Sequence, residues 1–198
     1  MSKIPATPPM LSGATVRLEP LQHTHCAALA EAVQDGQLWT VWCTTVPRPE
    51  QMQAEIDRRL ALQDARSMLP YTVINTADNR VVGMTSYMNI DRNVPRVEIG
   101  STWYAASAQR TGLNTEAKTL LLTHAFETMG CSVVELRTHF LNQRSRKAIE
   151  RLGAKLDGVL RSHMRMADGS LRDTCVYSII ATEWPAVKMH LQHGLCRV

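Results

Sequence analysis

The chain has 198 residues, is 44% hydrophobic and 20% charged, and carries 22 Lys+Arg against 18 Asp+Glu, a net charge of +4. That is the balance of one ordinary globular domain, and so small and dispersed a positive excess argues against a nucleic-acid partner. Five cysteines without C-x-x-C spacing argue against a disulfide framework or a zinc site and for a reducing compartment; with no signal-peptide core and no apolar run of about 18 residues, a cytoplasmic chain without a membrane partner is expected.

Residues 1–12 are Pro-rich and read as an extended lead-in to a domain over 13–182, with 183–198 as a C-terminal helix or tail. Residues 14–20 alternate and stop at Pro20, as a strand does. Apolar positions at Cys26, Ala27, Leu29, Ala30 and Val33 predict a first helix ended by Asp35-Gly36, and Pro47 or Pro49 opens a second that reaches Ala65. Three strands follow as an antiparallel meander, at 71–75, 81–90 and 97–104. A long helix with Ala117, Leu120, Leu121, Ala125 and Met129 on one face comes next, then a buried strand at 133–138. A helix over 143–152 ends at Gly153, and two last strands, 154–166 and 172–180, flank a turn at Ala167-Asp168-Gly169-Ser170 before a short closing helix. The fold class is α/β (α+β): a mixed, mostly antiparallel central sheet of about seven strands with helices on both faces.

The stretch around which these elements are organised is 98–129. A strand runs into the loop Gln109-Arg110-Thr111-Gly112-Leu113-Asn114-Thr115, and a helix opens near Asn114, a good N-cap, with Glu116 in its positive first turn. Free backbone N–H groups at such a point suit a pyrophosphate, and Gly112 would allow close approach or a positive φ. The dinucleotide G-x-G-x-x-G and the P-loop pattern are both missing, so the loop alone does not separate an anion site from an ordinary connection.

The neighbouring motifs separate them. Gln109 and Gly112 fit [QR]-x-x-G-x-[GA], with Asn114 in the last place; E-I-G stands at 98–100 and G-L-N-T-E-A at 112–117. Downstream come E-L-R-T, the N-x-x-S of Asn142 and Ser145, A-I-E-R-L-G-A at 148–154 and D-G-x-x-R-D-T-x-x-Y-S-I at 168–179. Together these resemble the GNAT superfamily of acetyl-CoA-dependent N-acetyltransferases, in its RimJ/RimL-type branch, most clearly over 97–180.

The resemblance implies direct transfer of acetyl from acetyl-CoA, as co-substrate and without a metal, to a primary amine: a protein N-terminus, an amino acid or a small amine. Glu98 would be the general base, through water, or else a surface or paired carboxylate. Thr102, Trp103 and Tyr104 would offer backbone groups to the pantetheine arm. Residues 109–115 would hold the pyrophosphate. Asn142 would bond the pantetheine amide or cap the next helix, and Ser145 would be the acid for the leaving thiolate or a plain helical serine. Arg146, with Arg144 and Lys147, would meet the adenosine 3′-phosphate or form a solvated face. Two departures stand out: Arg110 where many relatives have Gly, and Ile149 where other branches carry a proton-donating Tyr. They keep open a second reading, a non-catalytic acyl-CoA-binding or regulatory module. The acceptor pocket is expected from Trp39, Trp42, the second helix and the final hairpin, and a homodimer is left open. His23 and His25 lack a carboxylate partner for a metal, and His124, His139 and His163 read as structural.

Overall fold

The computed structural model describes residues 3–166 and 168–195. One eight-stranded sheet has the order β1-β2-β3-β4-β5-β6-β8-β7, with β1 Leu11–Ser12, β2 Val16–Pro20, β3 Met68–Asn75, β4 Arg80–Asp91, β5 Arg96–Tyr104, β6 Val133–His139, β7 Lys155–Arg165 and β8 Leu171–Ile180. Every neighbouring pair is antiparallel except β5 with β6. The helices are α1 Cys26–Gln34, α2 Met52–Asp64, α3 Leu113–Thr123, α4 Gln143–Glu150 and α5 Trp184–Leu195. The expected mixed sheet with helices on both faces is what the chain adopts.

The eighth strand is the difference from expectation. Leu11 and Ser12 pair with Leu18 and Arg17, so the end of the Pro-rich lead-in becomes a sheet edge. A tertiary clamp secures it: the Glu116 carboxylate accepts the amides of Ala14, at 2.5 Å, and Thr15, at 2.8 Å, together with the Thr15 hydroxyl. These partners lie about a hundred residues apart, beyond the reach of any local pattern.

Alternation along the strands sorts side chains into two cores. Val97, Ile99, Tyr104, Val134, Leu136, Cys175, Tyr177 and Ile179 join Ala117, Leu121 and Leu122 of α3, Ile149 of α4 and Leu191 of α5 on one face. On the other, Met84 and Trp103 pack with Leu29 and Val33 of α1 and Met52 and Ile56 of α2. The face of α3 predicted from its spacing is buried, apart from the part-buried Leu120, and a π-helical turn at His124–Thr128 carries it on to Met129. Gly153 ends α4 in the left-handed region, φ +93°, as a C′ residue should. Of the residues named from sequence, Ala167 in the hairpin turn and Cys196 to Val198 in the tail lie outside the described residues.

Candidate functional site

The site follows from a failure of pairing. β5 and β6 are hydrogen-bonded through Arg96–Val133, Val97–Val134 and Glu98–Glu135, after which the register stops although both strands continue. On the other side of β5, Met84 pairs with Trp103 and Ser86 with Gly100, so Ser101 and Thr102 together oppose Thr85 alone. That is a β-bulge, and Ser101 takes a left-handed φ of 48° to form it. A bulge bends and twists its strand, here where β5 leaves β6. The result is a cleft between two parallel strands, the place where a ligand reaches strand backbone.

Side chains fix this geometry. Arg59 of α2, 2% exposed, donates to Glu55, to Ser86 Oγ and to the Ser101 carbonyl at 3.1 Å, tying the bulge to the helix above it. From the opposite face Lys118 of α3 donates to Thr102 Oγ1 at 2.9 Å, and Thr102 Oγ1 lies 2.8 Å from Thr85 Oγ1. Lys118 is 7% exposed, and burial lowers its pKa to about 7 against a smaller upward pull from Glu98. Neither residue was singled out from sequence. A lysine at one position of a predicted helix carries no local sign that it will face a strand bulge.

Glu98 stands at the last paired position, 6% exposed. Its carboxylate accepts from Asn89 Nδ2 at 2.7 Å and lies 3.4 Å from Arg137 Nε. Burial nevertheless raises its pKa above the usual carboxylate range, and Glu135 adds to the rise, while the Asn89 hydrogen bond and the Arg137 and Arg172 charges oppose it. A carboxylate pushed toward neutrality is a stronger base when it does ionise.

At the far end of β5, the Trp103 indole and Tyr104 hydroxyl are buried in opposite cores, and neither polar atom finds a partner among the described residues. Gln109 closes the strand by donating to the Tyr104 carbonyl at 2.6 Å, and it accepts from Arg144 Nη2 at 2.6 Å. The loop before α3 is thus joined to the first turn of α4. Thr111 Oγ1 donates to the Ala108 carbonyl and accepts weakly from the Leu113 amide at 3.3 Å.

One expectation about this loop is corrected, and of the two alternatives for Gly112 the positive φ is excluded. The helix starts at Leu113 with Gly112 in the cap position and no side-chain cap, so Asn114 is a first-turn residue. The left-handed residue is Arg110, φ 64°, whereas Gly112 has an ordinary φ of −63°. Arginine pays a steric cost there that glycine would not. The first amides of α3, those of Leu113, Asn114 and Thr115 among them, have no carbonyl one turn back to bond, and this uncapped end adjoins the cleft.

Across the cleft, Asn142 caps α4 by accepting from the Ser145 amide at 3.0 Å, the capping alternative of the two expected. Ser145 Oγ makes no hydrogen bond with a described residue. Arg146 is engaged by the Tyr177 hydroxyl at 3.0 Å and lies over the Phe140 ring, and Tyr177 in turn donates to Glu150. Arg144 is the member of that basic run which reaches the loop. Ile149 is 7% exposed and part of the core.

On the α2 face, a cavity of about 430 Å³ opens beside the bulge, lined by Thr45, Val46, Pro47, Gln51, Arg58, Arg59 and Ser101 among others. Trp39 lies under Arg48, and Trp42 meets the His139 ring edge-on with centroids 5.1 Å apart. A second cavity, about 590 Å³, touches Thr111, Gly112 and Leu113 but extends toward Asp35 and Arg80, away from Glu98. The smaller cavity is the better acceptor candidate because it includes Ser101 of the bulge. Among the described residues no three His, Cys, Asp or Glu side chains converge for a metal, and no helix is long and apolar enough to cross a membrane.

Comparison with known proteins agrees with this geometry. Residues 15–155 match the family model described as an acetyltransferase (GNAT) domain. YdaF of Bacillus subtilis (strain 168), named for a ribosomal N-acetyltransferase role, is 32% identical over 111 residues, 56% of this chain and 60% of that protein. The match therefore spans less than two thirds of that relative's length. A GCN5-related N-acetyltransferase from Brucella melitensis superposes with a TM-score of 0.84 at 30% identity, over 94% of this chain and 85% of that one. Mycobacterium smegmatis RimJ, solved in complex with CoA-disulfide, shares the fold with a TM-score of 0.81 at 21% identity, over 94% and 95% of the two chains.

Proposed function

The chain belongs to the GNAT acetyltransferase family, and from that premise we propose that it transfers acetyl from acetyl-CoA directly to a primary amine. The observation that carries this reading is the cleft itself. β5 and β6 part just after the buried carboxylate of Glu98, and the uncapped start of α3 stands at the open end. An elongated acyl carrier with a phosphate head and a reactive tail suits such a site: amides for the anion, open strand backbone for the arm, a base at the closed end.

Acetyl-CoA would supply the activated acyl group as a thioester. The acceptor arrives as an ammonium and cannot attack until it loses a proton, which Glu98 takes directly or through one water. The free amine forms a C–N bond at the thioester carbon, and open amides of β5 beyond the bulge are the candidate donors to the developing oxyanion. Collapse breaks the C–S bond and releases the CoA thiolate as the new amide nitrogen gives up its second proton to water or to that thiolate, with the acetylated amine as product. Ser145, whose hydroxyl is uncommitted, and water are the candidate proton sources for that thiolate. Residues 109–115 would hold the pyrophosphate, with Arg144 brought to them by Gln109; Asn142, as the cap, would orient α4.

The second reading, an acyl-CoA-binding module without turnover, is favoured by Ile149, a core residue with no proton to give. Calorimetry with acetyl-CoA on the wild type and on Gly112→Glu, followed by a thiol-release screen over an amine panel, decides. Binding that is lost in the variant and accompanied by turnover supports the transferase. Binding without turnover on any amine leaves the module, and a folded wild type that does not bind refutes both.

A further inference from the structure

One charged residue beside this site has no function in the fold or in the reaction above. Arg172 opens the R-D-T part of the hairpin motif, on β8. Its guanidinium makes no hydrogen bond or ion pair with any described residue, although its Nε is buried. The neighbouring arginines are all committed. Arg137 is paired with Glu135 and Glu98, Arg96 with Glu135, and Arg59 with Glu55 and the bulge. A buried donor left without an acceptor costs more than a typical hydrogen bond returns, so an unused guanidinium beside a reaction centre points to a ligand that completes it.

Its surroundings define that ligand. Tyr177 and Cys175 of β8 face the α3 core, so Arg172 and Thr174 lie on the opposite face, which Glu98 and Arg137 share. Arg172 is within electrostatic range of Glu98 without pairing to it. The buried His139 also lies near Arg172, whose charge lowers the His139 pKa along with burial, and Trp42 forms an aromatic wall against that ring. A planar anion can accept two parallel N–H bonds from a guanidinium. A dianionic phosphate would meet the carboxylates of Glu98 and Glu135 nearby, whereas a single carboxylate matches the one unspent positive charge.

We propose that Arg172 is a specificity-determining residue that binds a carboxylate of the acceptor, so that the substrate class is a primary amine bearing a nearby carboxylate. Its amine lies toward Glu98 and its carboxylate on the guanidinium. This rests on the transferase reading. The same chemistry occurs in a free amino acid and in a peptide that begins with Asp or Glu, and the matched acceptors below separate the two sources.

The test compares matched acceptors: leucine with isoamylamine, and a tripeptide beginning with Glu with its Gln counterpart. Each is assayed by thiol release on the wild type, Arg172→Gln, Arg172→Lys and the hairpin control Arg165→Gln. The wild type prefers the carboxylate-bearing member by roughly 10- to 100-fold in kcat/KM, as a hydrogen-bonded charge contact would give. Arg172→Gln collapses that preference through KM, Arg172→Lys keeps part of it, and Arg165→Gln keeps it whole. Preference within the leucine pair assigns a free amino acid, and preference within the tripeptide pair alone assigns an acidic N-terminus. Equal use of both members by the wild type overturns the proposal, as does an equal loss on both members in Arg172→Gln. Calorimetry with acetyl-CoA runs in parallel and reports on the parent reading by itself. Titration with N-acetylleucine, a product analogue, supplies a readout independent of turnover: binding lost in Arg172→Gln supports the carboxylate site, and no binding by the wild type refutes it.

Discussion

Replacing Lys118 by methionine should stabilise the protein at neutral pH and change how its stability depends on pH. The side chain is 7% exposed, and its ammonium has one hydrogen-bond partner among the described residues, Thr102 Oγ1. Burial lowers the pKa from 10.5 to about 7. Below pH 7 both folded and unfolded chains hold the proton, and the folded state bears the full cost of a buried charge. Between about 7 and 10.5 the unfolded chain still binds a proton that the folded chain has released, so stability rises with pH, by at most about 1.4 kcal/mol per unit. Across the whole shift this is about 5 kcal/mol. Methionine keeps the length and flexibility of the chain without the charge. Its advantage at pH 7 should be about 3 kcal/mol once the lost Thr102 hydrogen bond, about 1 kcal/mol, is counted. Urea denaturation of both proteins from pH 7 to 9, without acetyl-CoA, should show the gap closing by about 2 kcal/mol, other titrating groups cancelling in the difference. A gap that does not change with pH, or a wild type more stable than Lys118→Met at pH 7, would refute the reasoning, because either would mean that the ammonium is well solvated or paired.

Three further outcomes follow from particular residues. Glu98→Gln should lower kcat by roughly 100-fold or more and abolish the acid limb of the pH–rate profile. In the wild type that limb lies above the usual glutamate value of 4.5, because a raised pKa delays ionisation as pH increases. An unchanged profile in the variant would remove Glu98 from the chemistry. Arg110→Gly exchanges a left-handed arginine for the residue that tolerates that conformation, offset by greater freedom of the unfolded chain, so the unfolding free energy in urea should stay level or rise by up to about 1 kcal/mol. A clear loss of stability would show that the arginine side chain holds the loop. Gly83→Ala would set a Cβ against the Trp103 carbonyl oxygen where β4 and β5 approach, and should cost about 1–3 kcal/mol in thermal or urea unfolding; a neutral result would mean that the strands can separate there.

The residues legible in the sequence were those whose reasons are local. Ala117, Leu121, Ala125 and Met129 repeat at helical spacing and are buried as that spacing requires. Gly153 follows the last apolar turn of α4 and adopts the left-handed φ expected of a helix stop. Asn142 caps because an Asn just before a helix has an oxygen within reach of the third amide. Where local reasoning misplaced a feature, a competing contact had won. Asn114 lost the cap because Gln109 fixes the loop to Tyr104 and Thr111 turns back on Ala108, so the helix begins two residues earlier. The Pro-rich lead-in gained a strand because Glu116, expected to serve only the helix dipole, clamps residues 14 and 15.

The amino-acid order by itself determined the succession of strands and helices from residue 14 onward, the mixed sheet they build and the family to which the chain belongs, because periodicity, turn residues and motif spacing act over a few positions at a time. Only the tertiary structure decided where β5 and β6 part, which residue of the loop takes the left-handed φ, that Arg59 and Lys118 grip the bulge from opposite faces, and that Arg172 is left without a partner among the described residues beside Glu98. Each of these depends on which side chains meet across the sheet, and the energy of a buried charge is set by the neighbours that folding brings to it, not by its neighbours in the chain.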